Sequence, residues 1–230
     1  MLYISMQYFG GKQRIAKQVS EIINSFRQPK QIYLEPFVGS ANIISQMQNP
    51  RIGSDYQEDI ILLLKSIQKG TFIFPDKVSE KEYNDIRHKE SSALRAFIGF
   101  GCSFSGKWFG GYARDKNNRN YALNAQNSLL KKAENFKGVI FLHKDYREWE
   151  PTNCLIYADP PYKATTKIHG DKFNHEEFWQ IIRNWSKDNT VIISEYQAPD
   201  DFNCIKEINT KTDISGKSGK YNRVERLFKL

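Results

Sequence analysis

Apolar residues at Ile15, Val19, Ile22, Ile23 and Phe26 recur at helical spacing and predict an amphipathic helix over 12–26. Gln31 to Glu35 reads as a short buried strand, followed by a tight loop, Pro36-Phe37-Val38-Gly39-Ser40. The pattern then predicts a helix over 41–48, a strand ending at Asp55, and a second helix reaching about Gln68, where Gly70 stops it. Strand-helix-strand-helix is the unit of parallel sheets with right-handed crossovers. From Thr71 to Gly138 the alternation breaks and the pattern turns mainly helical. Ser79 with Glu82 forms a capping box, a helix is expected over 92–100, and another over 122–135. Between them lies GCSFSGKWFGGYARDKNNRN, rich in glycine, aromatic and basic residues.

Alternation resumes with strands at Val139–His143, Cys154–Ala158 and Thr190–Glu195, and a helix capped by Asn174 and Glu177. Cys204–Ile208 and Val224–Phe228 read as two strands joined by a Gly/Lys-rich loop. The fold class expected is α/β: a mostly parallel sheet with a C-terminal hairpin, made by 1–70 and 139–230, with 71–138 as an inserted, mainly helical domain. A chain of 230 residues suits one substantial domain with an insertion.

Composition adds exclusions. With 40% hydrophobic and 26% charged residues, the chain is not globally disordered. The longest aliphatic run, Ile60 to Leu64, is far short of the about 20 residues of a membrane span. No basic residue precedes Lys12, so the start does not read as a signal peptide. Cys102, Cys154 and Cys204 suit a reducing cytosol and give neither a disulfide framework nor a zinc pattern. His88, His143, His169 and His175 show no ligand spacing, so no metal is expected. The net charge of +8 predisposes the surface to polyanions.

In an open parallel sheet, ligands bind beyond the carboxyl ends of strands at the switch in strand order. Gly39 would let a bound group approach the backbone, and Asp55 stands where such folds place an acid on ribose hydroxyls. The loop lacks a GxGxxG cradle, so a nucleoside cofactor without phosphates fits better than a dinucleotide, and a plain strand-to-helix turn fits equally well. The second feature is sharper. Asp159-Pro160-Pro161-Tyr162 directly follows the strand Cys154–Ala158, which lies beside the first strand if it is the fourth. Asp159 and the Pro160 carbonyl can each accept a hydrogen of a planar exocyclic amine, and Tyr162 offers a face for stacking.

These anchors together resemble the Dam-type DNA adenine-N6 methyltransferases of bacteria and phages. They are Tyr8-Phe9-Gly10-Gly11-Lys12, Glu35-Pro36-Phe37-Val38-Gly39, Asp55 and Asp159-Pro160-Pro161-Tyr162, in that order, with Ser194-Glu195-Tyr196 and the segment Arg223–Phe228 as further elements. The resemblance implies a Rossmann-like methyltransferase sheet and S-adenosylmethionine as donor. It puts Tyr8, Phe9, Gly10, Gly11 and Lys12 at the methionine end, with Lys12 near its carboxylate. It wraps Glu35, Pro36, Phe37 and Gly39 round the donor, puts Asp55 on its ribose and Asp145 on its adenine, and aims Asp159, Pro160 and Tyr162 at a flipped-out adenine. Where the family usually has a second glycine, this chain has Ala41, which implies slightly altered cofactor packing.

Target recognition is expected in the inserted middle, where Lys107, Trp108, Tyr112, Arg114, Lys116 and Arg119 mix charge with aromatic faces. Trp108 and Phe109 can equally be tucked into the core. A second basic loop, 163–172, can close over the base, and 211–223 can touch phosphates. No cysteine follows a proline, which argues against the thiolate attack of cytosine-C5 enzymes. Double-stranded DNA is the partner expected, with neither metal nor membrane, in the cytoplasm of a bacterium or phage-infected host; such a role admits a cognate restriction endonuclease as well as an enzyme without one. Rival readings are a cytosine-N4 or RNA-adenine methyltransferase, or a non-catalytic DNA-binding relic.

Overall fold

The computed structural model describes residues 11–114, 119–163, 173–213 and 220–230, with the backbone alone at 210–213 and 220–223. Seven strands are described: β1 (Ile32–Glu35), β2 (Arg51–Asp55), β3 (Val139–His143), β4 (Cys154–Ala158), β5 (Thr190–Glu195), β6 (Asn203–Asp213) and β7 (Lys220–Lys229). They form one sheet in the order β3-β2-β1-β4-β5-β7-β6. The first five are parallel, with Leu34 beside both Ile52 and Ile156, and β7 joins β5 and β6 antiparallel. The switch in strand order falls between β1 and β4, so the loops after Glu35 and Ala158 open into one crevice.

The strands read as continuous apolar runs because both faces are covered. Tyr33, Leu155 and Tyr157 pack on one side with helices α1 (Ala16–Asn24), α2 (Glu58–Gln68), α4 (Ala93–Gly101) and α5 (Tyr121–Ala133). Their neighbours Leu34 and Ile156 pack on the other side against Phe178, Trp179, Ile182 and Trp185 of α6 (His175–Trp185). The expected capping box is formed at the start of α3 (Glu80–Ile86), with Glu82 N donating to Ser79 Oγ at 3.2 Å and Ser79 N to Glu82 Oε2 at 2.7 Å. In the middle region, α4 lies against α2 and α5, so Phe97, Phe100 and Leu129 belong to the same core as the sheet's own helices.

Two expectations differ from the structure. The helix over 12–26 contracts to α1, and the helix expected over 41–48 is only a short 3-10 turn at Ile44–Gln46. Ala41 explains the second: its φ of 57° is left-handed and cannot begin a right-handed helix. Pro50 closes the far end, since it disfavours helical backbone at Asn49.

Left-handed backbone costs an alanine about 1–2 kcal/mol. Glycine there would relieve this, but it would restore about 0.4–1 kcal/mol of chain entropy to the unfolded state and lose a buried methyl worth about 0.8 kcal/mol. Ala41→Gly is therefore expected to be neutral within about 0.5 kcal/mol in urea denaturation, whereas a buried alanine in ordinary backbone would lose more than 1 kcal/mol.

Candidate active site

Beyond the carboxyl ends of β1, β2 and β4 lies a cavity of about 720 Å³, within the range of cofactor sites. Gly39 begins the turn after β1 with φ 44°, and its N–H donates to Asp55 Oδ2 at 3.0 Å. Gln57 N donates to Asp55 Oδ1 at 3.0 Å, so the carboxylate at the end of β2 ties the turn to the sheet while facing the cavity. Glu35 also lines the cavity and accepts from Tyr33 Oη at 2.8 Å. Its burial pushes its pKa well above the usual carboxylate range.

One wall of the cavity is aromatic. Phe37 lies 5.0 Å from Tyr146 and 6.1 Å from Phe173, centroid to centroid. Asp145 sits beside them, turned toward Arg147, which donates from Nε and Nη2 to its two oxygens at 2.9 Å each. A flat apolar ring fits against such a wall, with Asp145 at its polar edge.

A buried ionic cluster lies where β4, β5 and β7 bring Asp159, Ser194 and Glu225 together. Lys12 Nζ lies 2.9 Å from Asp159 Oδ1 and 3.1 Å from Glu225 Oε1, and it donates to Tyr162 Oη. Tyr162 donates in turn to Glu225, which also accepts from Ser194 Oγ at 2.6 Å. One ammonium thus lies between two carboxyl groups. Burial raises the Asp159 pKa to about 6, with Lys12 pulling down and Glu225 pushing up. The Asp159 side chain stays 21% exposed, so a substrate in the cavity can reach it. Tyr196 stands edge-on to Tyr162 with centroids 4.7 Å apart, and both line the cavity with Pro160.

Gly11, Lys12, Glu35, Pro36, Phe37, Gly39, Asp55, Asp145, Asp159, Pro160 and Tyr162 all line this one cavity. Within it, Lys12 is bonded to Asp159, Glu225 and Tyr162. Tyr8, Phe9 and Gly10 lie outside the described residues, as do Lys116 and 164–172. Among the other expected DNA contacts, Trp108 packs tilted against Phe100 and edge-on against Phe109, centroids 4.7 Å apart in each pair, with the Arg95 guanidinium over its ring at 5.2 Å. It also lines the cavity. Tyr112 packs on Tyr83 and donates to the Val78 carbonyl at 2.6 Å. Lys107 is half-buried, Arg119 is exposed, and Arg114 is exposed and paired with Glu80. The exposed aromatic of the loop is Phe104, at 55%.

Sequence reading gives Glu225 only as part of the segment Arg223–Phe228, with no role, and does not single out Tyr146 or Phe173. Glu225 carried a signal: it shares a strand face with buried Leu227, and a charge on a buried face must have a partner. Tyr146 and Phe173 lie in stretches without periodicity, and only the fold brings them to Phe37.

Burial also raises Asp55 to about 6 and Glu195 to about 7. With Asp159, these acids hold protons in the folded state that the unfolded chain has released. Their stabilising contribution is full below about pH 4 and lost as pH rises through 6 to 7. The urea midpoint is therefore expected to be lower at pH 8 than at pH 5.5, and Glu195→Gln should shrink that drop. A midpoint that climbs steadily across this range would contradict it.

Among the described residues, no group of three or more His, Cys, Asp or Glu side chains could hold a metal ion, and no helix is long and apolar enough to cross a membrane. Residues 8–94 match the family model of the D12 class N6 adenine-specific DNA methyltransferases. The matched stretch runs through Lys12, the turn after β1 and Asp55, while Asp159–Tyr162 lies beyond it. No match was found among curated proteins.

Proposed function

We propose that this chain, whose residues 8–94 match the family model of the D12 class N6 adenine-specific DNA methyltransferases, moves a methyl group from S-adenosylmethionine to the N6 of an adenine flipped out of DNA. The observation that carries the reading is one cavity lined both by Phe37, Tyr146 and Asp55 and by Asp159, Pro160 and Tyr162. S-adenosylmethionine, when bound, supplies an electrophilic methyl group on a sulfonium. Asp55 would take its ribose hydroxyls, and Phe37 with Tyr146 its adenine ring. The turn at Gly39 gives close backbone approach. The donor set fits a neutral nucleoside: the cradle offers carboxylates and rings where phosphates would be repelled.

Asp159 and the Pro160 carbonyl accept the two hydrogens of the target amine, and Tyr162 offers its face to the base. Accepting both hydrogens favours a pyramidal nitrogen and frees its lone pair, which is otherwise delocalised into the ring. The new N–C bond forms as the C–S bond breaks, and the extra proton on N6 then leaves to Asp159 or water. Lys12 keeps Asp159 ionised at neutral pH, and Tyr162, Glu225 and Ser194 hold Lys12 in place. Orientation of this kind is worth up to about 7–11 kcal/mol. Inside a duplex the amine is out of reach, so the base must be everted at a cost of a few kcal/mol.

The region 71–138 is proposed to read the DNA. With Trp108 and Tyr112 engaged in packing, Phe104 is the loop aromatic exposed enough to enter a base stack, and Arg114 and Arg119 are exposed base-edge donors. Phe104→Ala is expected to lower activity on duplex DNA about tenfold or more while leaving activity on a single-stranded substrate within about twofold. Equal loss on both would remove the wedge role. The function as a whole is tested by incubating DNA with the protein and labelled S-adenosylmethionine, then analysing nucleosides. N6-methyladenine is expected, and label in N4-methylcytosine or none at all would overturn the reading.

A further inference from the structure

Lys132 belongs to α5 in the helical middle region, far along the chain from the turn it touches. Its buried Nζ donates to the Ser40 carbonyl at 2.7 Å and to Asn42 Oδ1 at 3.0 Å. Burial alone pulls its pKa down to about 8, with no carboxylate among the described residues raising it. An ammonium held by neutral oxygens is an unusual core residue, since charge is costly to bury unpaired.

Its two contacts flank Ala41, the left-handed residue in the turn after β1. The Ser40 carbonyl and the Ala41 N–H share one rigid peptide plane, and the rotation of that plane is what φ of Ala41 measures. The plane is held at both ends: Ala41 N donates to the Val38 carbonyl at 2.8 Å, and Lys132 takes the Ser40 carbonyl. Asn42 completes the clamp by donating from Nδ2 to Ser40 Oγ at 2.8 Å. Gly39, Ser40 and Asn42 all line the cavity.

We propose that Lys132 is a positioning residue for donor binding: it clamps the turn on both sides of Ala41 and holds there a conformation that alanine would otherwise leave. The proposal rests on the reading of this cavity as the donor site. It makes donor affinity depend on the helical region that is also proposed to meet DNA. Left-handed backbone is disfavoured for alanine by roughly tenfold, and apparent affinity falls with the fraction of molecules in the competent state.

The test is a calorimetric titration with S-adenosylhomocysteine. Lys132→Met is expected to raise Kd about tenfold while kcat at saturating donor stays within about threefold. Adding Ala41→Gly should recover most of that loss, because glycine adopts positive φ freely. Ala41→Gly alone should change Kd by less than about threefold. If Lys132→Met does not fold, Lys132→Gln carries the same comparison. A Kd for the lysine variant within about twofold of the wild type overturns the clamp, as does an Ala41→Gly effect of equal size in both backgrounds. A wild-type protein that binds neither S-adenosylhomocysteine nor S-adenosylmethionine overturns the donor-site reading itself.

Discussion

Asp159→Ala is expected to lower methyl transfer by about 10³-fold or more while leaving the titration with S-adenosylhomocysteine within a few fold of the wild type. Removing one preorganised polar group from such a site costs about 10²–10³, and loss of the amine's orientation adds to it. The separation of the two readouts follows from geometry. Asp159 follows β4, whereas Asp55 ends β2 and Tyr146 follows β3, two and three strands away in the sheet, where the donor's nucleoside is proposed to lie. Folding should survive the change, because Lys12 keeps Glu225 as a partner at 3.1 Å. Thermal stability at pH 8 should hold or rise, since burial lifts the Asp159 pKa to about 6 and keeping the group ionised works against the fold. Asp159→Asn keeps one carbonyl acceptor and is expected to fall between the two. Near-normal turnover by the alanine variant would remove Asp159 from the chemistry.

Lys12→Met is the substitution expected to harm the fold most. It takes the ammonium from between Asp159 and Glu225 and leaves two carboxylates facing each other in a buried site. Breaking a buried ion pair from one side costs about 3–5 kcal/mol. For a chain of this size that is a fall of about 6–20 °C in the melting midpoint, at about 2–4 °C per kcal/mol. The sign with pH is fixed by the same cluster. Lys12 is what pulls the Asp159 pKa down against burial, so without it that pKa rises beyond about 6. Asp159 then holds its proton more fully at pH 5 than at pH 8, so the repulsion is the more relieved at the lower pH. The loss relative to wild type should therefore be larger at pH 8 than at pH 5 in paired urea denaturations. A loss below about 1 kcal/mol, equal at both pH values, would show that Lys12 is not the counter-ion of this cluster.

Much of this was legible in the residues. The strand run Cys154–Ala158 with Asp159 at its end is a local signal, as are the Ser79–Glu82 cap and the apolar stripe of α1. Each depends on neighbours a few positions away, and hydrophobic period and capping chemistry act at that range. Ala41 shows where local reading failed: its neighbours suit a helix, yet the turn keeps a left-handed residue, because Lys132, Asp55 and Val38 hold the surrounding backbone. Trp108 shows the same limit from the other side. Its basic and glycine-rich neighbours left a DNA-facing and a core position both open, and packing on Phe100 and Phe109 draws it against the core.

By itself, then, the chain determined which segments become strands of a parallel sheet and which carboxylate stands at the end of β4. Side-chain period and turn chemistry are properties of adjacent residues. Only the tertiary structure decided that Lys12 would serve Asp159 and Glu225, that Phe173 would reach Phe37, and that a lysine from α5 would grip the turn after β1. Those partners are distant in sequence, and burial that removes water makes each of them choose the nearest complementary group.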